Sequence, residues 1–164
     1  MISKKEGLSM EDRLPIEMID YEERYKPALE DISLPWLLEH DLLEPVDLEM
    51  LAEPHRFVAD GGRVLLARCG EEIVGMVMVE LQGEGQCELL KLGVKEDWRG
   101  RGVGTALMEA ALQAARDAGQ KRVVLTTNHK LKAALHLYEK FNFEYVTYSD
   151  KWFQLSDIRM EREL

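Results

Sequence analysis

At 164 residues and 46% hydrophobic, the chain is long enough for one sizeable core, and no linker, repeat or low-complexity tract divides it, so a single domain over 1–164 is expected. A formal net charge of -10 and a pI near 4.9 disfavour nucleic acid and anionic membrane surfaces as partners and favour a cationic small molecule. The two cysteines form no CxxC pair, the start lacks the apolar stretch of a secretory signal, and runs such as IVGMVMV are too short to span a bilayer, which together predict a cytoplasmic protein.

Residues 1–13 are polar and expected to be loose, and PIEMI predicts a first short strand. YKPALEDISLPWLLEHD follows as helix, with Pro27 and Pro35 expected to segment it. PVDLEMLAEP predicts a short helix capped by Asp47 and ending before Pro54. RVLLARCGEEIVGMVMVEL reads as two strands joined by a turn at Gly70, and GQCELLKLGV as a third. A long helix over 102–118, the strand RVVLTT, a helix over 130–141, and strands near FEYVTY and DIRMERE complete the chain. This order predicts an α+β fold with a mixed, mostly antiparallel sheet.

Between the third of these strands and the long helix lies WRGRGVGT, residues 98–105. The first N–H groups of a helix have no intrahelical partners, glycine lets an anion approach the backbone, and arginine adds charge-assisted bonds. Arg99, Gly100, Arg101, Gly102, Val103, Gly104 and Thr105 are therefore candidates for a pyrophosphate site. The glycine spacing fits neither the dinucleotide GxGxxG pattern nor a P-loop, which needs Lys and Ser or Thr after its last glycine. A connecting turn with solvated arginines is the plainer alternative.

Arg99-x-x-Gly102-x-Gly104 resembles the R/Q-x-x-G-x-G/A signature of the GCN5-related N-acetyltransferases. CELLKLGVKEDWRGRGVGTALMEAALQAARDAGQKRVVLTTN is similar to that superfamily's central strand, phosphate loop, helix and next strand, and KAALHLYEKFNF to its A-x-x-L-Y-x-x-x-G-F element. PWLLEHDLLEP and DIRMEREL also resemble the acetyltransferase part of proteins fused to a MarR-type winged helix. The resemblance implies a sheet of about six or seven strands flanked by about four helices. Acetyl-CoA would lie as co-substrate, without a metal, between two splayed strands near 88–94 and 122–127. It also implies that backbone groups of Leu92, Gly93 and Val94 hold the pantetheine arm and acetyl carbonyl. Gly93 marks a bulge or a close backbone approach there. The family's usual Asn, seven positions before the tyrosine, is Leu131 here, so Asn128, with Lys132, is the expected replacement. Asn142 replaces the Gly of G-F, and its tolerance of a left-handed backbone preserves the turn.

Amine acetylation needs a base, and Glu88 alternates with Leu90, Leu92 and Val94, which in a regular strand sets its carboxylate on an apolar face. It stands eleven positions before Arg99, the base position of the histone-acetylating branch. A strand-end Glu facing solvent is the alternative. Tyr138 falls on the family's L-Y tyrosine, implying a general acid near the coenzyme sulfur, although an aromatic packed beside Leu137 and Phe141 would look the same. Cys87 faces the other side of the strand, has no histidine set beside it, and is not expected to carry an acyl group.

Trp36, Glu39 and Asp41, with Trp152 and Phe153, are candidates for an amine pocket of aromatic walls and acidic groups, or simply a packed Trp and a solvated acidic face. The expected activity is N-acetylation of a small-molecule primary amine by a monomer or homodimer. Acetylation of protein lysines or N-termini, and non-catalytic coenzyme binding, stand as alternatives.

Overall fold

The computed structural model of the protein describes residues 15–148 and 153–164. The strands are β1 (Ile16–Asp20), β2 (Arg63–Cys69), β3 (Glu72–Gly83), β4 (Gln86–Val94), β5 (Arg122–Thr127), β6 (Glu144–Val146) and β7 (Ile158–Glu163). They form one sheet in the order β1-β2-β3-β4-β5-β7-β6, and only the β4–β5 pair is parallel. The helices are α1 (Lys26–Glu39), α2 (Pro45–Ala52), α3 (His55–Ala59), α4 (Val103–Asp117) and α5 (Lys132–Lys140).

Strand alternation divides the core into two layers. Leu65, Ala67, Val77, Val79, Cys87 and Leu89 face α4, whose Val103, Leu107, Met108, Ala111 and Ala115 recur at helical spacing and are buried. Val64, Leu66, Met76, Met78 and Leu90 face the other way, against Leu29 and Ile32 of α1, Met50 and Leu51 of α2, and Phe57 of α3. The long central strands are thus covered on both faces.

Several expectations are corrected. Pro35 does not segment α1, because it lies on the exposed side while Leu29, Ile32 and Leu37 anchor the helix. Asp47 is the third residue of α2, not the residue before it, and caps from inside by accepting the Glu44 backbone N–H at 2.8 Å. α3 has no counterpart among the predicted elements; it is a short turn of helix between Pro54 and the start of β2. Asn142 does hold a left-handed backbone, φ 65°, and closes α5 with bonds from Asn142 N–H to Glu139 C=O and from Phe143 N–H to Tyr138 C=O, both 3.0 Å.

The regular alternation expected for β4 is broken by a bulge. Met78 pairs with Leu90 and Met76 with Gly93, so Lys91 and Leu92 together oppose Val77, and Lys91 takes φ 55°. Glu88 and Leu90 therefore share the face of α1–α3, whereas Leu92 and Val94 pass to the α4 side. At Gly93 a Cβ would lie 2.9 Å from Trp36 Nε1 and 3.2 Å from Ile32 Cγ2, so the glycine makes room for the side chains of α1.

Candidate functional site

Strands β4 and β5 pair only through Gln86–Arg122, Cys87–Val123 and Glu88–Val124. Beyond Glu88 they part, β4 remaining with β3 and β5 with β7. A cleft of about 660 Å³ opens between them, lined by residues 89–94 of β4, by Thr126, Thr127 and Asn128, and by Leu137 and Tyr138 of α5. An extended ligand lying there can satisfy the inner-edge main-chain groups that lost their ladder partners.

One end of the cleft is the glycine turn. Gly100 and Gly102 have φ 74° and 83°, a region that L side chains rarely adopt, and this lets the chain turn directly into α4. The Ala106 N–H bonds to Gly102 C=O at 3.0 Å, which leaves the N–H groups of Val103, Gly104 and Thr105 ahead of the helical ladder, and no side chain caps them. Arg99, Gly100, Gly102, Val103, Gly104 and Thr105 line the cleft; Arg101 does not, and its guanidinium instead lies 4.6 Å from the Trp98 ring centroid. Lys132 lines the cleft at the start of α5. Asn128 lines it too, but its Nδ2 donates to Leu155 C=O at 2.7 Å and its Oδ1 accepts from Lys130 N–H at 2.9 Å, so both ends of the expected replacement amide hold the loop.

Glu88 occupies the last paired position, at the root of the wedge just before the cleft wall begins at Leu89. It is 6% exposed, and burial together with the negative charge of Glu80 pushes its carboxyl up to about 7 against the opposing charges of Arg159 and Lys91. Tyr138 lines the cleft and packs edge-on to Phe143, ring centroids 6.1 Å apart. Burial raises its phenol well above the ordinary range, so it keeps its proton at neutral pH. Burial also pushes the Cys87 thiol up to about 11, which makes it a poor nucleophile.

At the other end stands a group that sequence reasoning missed. The Lys91 ammonium is ion-paired with Asp47 and lies 4.6 Å from the Phe153 ring centroid, and the side chains of Lys91 and Asp47 are 4% and 2% exposed. The available signal is a lysine in the otherwise apolar LLKLG, facing an acid in the first turn of α2. Burial lowers the Lys91 ammonium from its usual range, and Asp47 opposes that shift. Glu44 accepts backbone N–H groups of Gln154 at 2.8 Å and Leu155 at 3.2 Å, fastening this loop to the start of α2. Trp36 lines the cleft with its Nε1 buried and unbonded, and Glu39 lies at the rim. Asp41 is an exposed turn residue at φ 55° outside the lining, and Phe153 presents its face to Lys91. Trp152 lies outside the described residues.

Among the described residues no group of His, Cys, Asp or Glu is arranged to hold a metal ion, and no helix is long and apolar enough to cross a membrane.

Residues 17–143 match the Acetyltransferase (GNAT) family. The chain is similar to rat N-acetyltransferase family 8 member 2, 34% identical over 51% of this chain and 39% of the relative, and to the uncharacterized N-acetyltransferase YjgM of Escherichia coli, 37% identical over 49% of each. It is also similar to N-alpha-acetyltransferase 30 of Xenopus laevis, 30% identical over 73% of this chain and 45% of that protein. These matches span less than half the length of each relative. A GNAT-family acetyltransferase structure from Staphylococcus aureus shares the fold at TM-score 0.82 and 19% identity, covering 91% of this chain and 99% of that one. The PaiA N-acetyltransferase of Thermoplasma acidophilum, solved with coenzyme A, does so at TM-score 0.73 and 14% identity, covering 92% and 100%.

Proposed function

The chain belongs to the GNAT acetyltransferase family, and from that premise we propose that it transfers the acetyl group of acetyl-CoA directly to a primary amine of a small molecule. The observation that carries this reading is the parting of β4 from β5 after Glu88, opposite an uncapped helix start. The uncapped N–H groups of residues 103–105 and the Arg99 side chain suit a pyrophosphate, and the inner edge of residues 92–94 suits an amide-bearing arm. Acetyl-CoA, when bound, supplies an acetyl group activated as a thioester.

The chain's own residues do the rest. Glu88, with a carboxyl near 7, is ionised in a large fraction of molecules at neutral pH and is basic enough to take a proton from an ammonium on its way to attack. Tyr138 keeps its phenolic proton and lines the cleft, so it is the group able to give that proton to a departing sulfur. Glu44, Phe153, Leu155 and the buried Lys91–Asp47 pair form part of the cleft wall available to an acceptor. The net charge of -10 favours a cationic one. Two cysteines outside any CxxC pair suit a reducing compartment such as the cytoplasm.

A protein N-terminus is the second reading, favoured by the similarity to an N-alpha-acetyltransferase. Acetyl-CoA consumption across a panel of free amines and a parallel panel of peptides separates the two. Turnover with free amines is expected. Turnover confined to peptides replaces the first reading with the second, and coenzyme binding without turnover on either panel makes the protein a binding module.

A further inference from the structure

Glu80 and Glu88 are direct partners across the β3–β4 ladder and lie on the same face of the sheet. The Gln82 Nε2 donates to Glu88 Oε2 at 3.3 Å, and the Gln82 side chain is also hydrogen-bonded to Glu80. Gln86 Nε2 donates to Gln82 Oε1 at 2.7 Å, which turns the NH2 end of Gln82 toward the two acids. We propose that Glu80 is a positioning residue for Glu88, acting through direct cross-strand adjacency and through the Gln82 amide that the two carboxylates share. The inference rests on the reading of Glu88 as the base.

Two carboxylates set side by side resist ionising together, so the proton affinity of each depends on the other. Among the described residues, the other charged and titratable groups facing Glu88 are Lys91 on its own strand, Arg159 on β7, and Tyr148 in the segment after β6, and the β5 residue paired with it is Val124. Arg159 is shared with Glu161, 3.6 Å away, and Lys91 with Asp47, so both cations are partly committed elsewhere. The charge of Asp60 adds to the negative surroundings of Glu80. Burial is the larger cause of the raised proton affinity of Glu88, and Glu80 is the nearby negative charge that adds to it.

The test is a carboxyl-carbon NMR titration of glutamate-labelled protein without coenzyme or acceptor, the Glu88 resonance being identified by its loss in Glu88→Gln. Glu80→Gln is isosteric, and unchanged amide spectra of β5 check that the sheet is intact. The Glu88 midpoint should fall from about 7 in Glu80→Gln, so that its ionised fraction at pH 6 rises about twofold or more. Glu80→Asp, which keeps the charge, should hold the midpoint above that of Glu80→Gln. Gln82→Leu removes a donor to the ionised form and should move it upward. A midpoint unmoved or raised in Glu80→Gln overturns the proposal. The titration needs no turnover, so if Glu88→Gln leaves acetyl transfer intact, the base reading fails while the coupling of the two acids stands.

Discussion

Glu88 should be costly to the fold and useful to the reaction. Its carboxyl sits near 7 in the folded protein against 4.5 for an unperturbed Glu, so between those values the folded state keeps a proton that the unfolded chain has lost. Stability from this group is therefore complete below about pH 4.5 and declines as pH rises through about 7. Glu88→Gln, which never ionises, should exceed the parent protein in stability at pH 8 by on the order of 3 kcal/mol, and the gap should close at pH 4. Thermal melts at the two pH values check this. The same substitution should lower kcat/KM about 10²-fold or more and abolish the rise of rate with pH near 7. Tyr138→Phe should slow transfer with little change in coenzyme affinity, measured by calorimetry, since only the proton donor is removed. At this scale the sequence revealed Glu88 as a lone acid in an apolar strand, but not Glu80 as its neighbour, because cross-strand register depends on turn geometry that composition does not display. Asp41, expected beside the acceptor, lies outside the cleft lining, and the loop bonds of Asn128 were not readable because its partner Leu155 is 27 residues away.

Between elements, the glycine turn and the Lys91–Asp47 pair make separate predictions. Gly102 and Gly119 both adopt left-handed backbone, φ 83° and 72°, with open space where a Cβ would stand, so Gly102→Asp and Gly119→Asp suffer similar strain. Only the first sets a carboxylate before the free N–H groups of α4, and calorimetry should show acetyl-CoA binding weakened at least tenfold in Gly102→Asp and little changed in Gly119→Asp. The ion pair joins the β4 bulge to α2, and Asp47→Ala leaves a buried ammonium without its partner while freeing the Glu44 N–H. Urea unfolding should show a loss of about 3 kcal/mol or more, most of it recovered in the double variant Asp47→Leu, Lys91→Met. Strands and long helices were legible because their apolar periods are set locally. The bulge was not, since Lys91 is a residue that gives no warning of a left-handed backbone, and its conformation is held by a partner 44 residues away.

Over the whole molecule, an excess of negative charge sets up a long-range field that salt screens, and the proposed cationic acceptor would be drawn in by it. With a cationic acceptor, kcat/KM should fall as ionic strength rises from about 0.01 to 0.15 M, and a neutral-amine acceptor should show a weaker dependence. The overall sheet and the place of the cleft were readable because one motif, strand, glycine turn and helix, fixes where β4 must end and α4 begin. In the wall built from α1, α2 and residues 153–156, Trp36, Glu39 and Phe153 were readable from their residue types, whereas the roles of Glu44, Asp47 and Lys91 were not, since their contacts join segments remote in sequence. The central claim, that acetyl-CoA lies between β4 and β5 with its pyrophosphate on the start of α4, is tested most directly by amide NMR during titration with acetyl-CoA. The largest shifts should fall on Val103, Gly104, Thr105 and residues 89–94, with β1 and α3 undisturbed. Shifts centred elsewhere, or none at millimolar coenzyme, would contradict it.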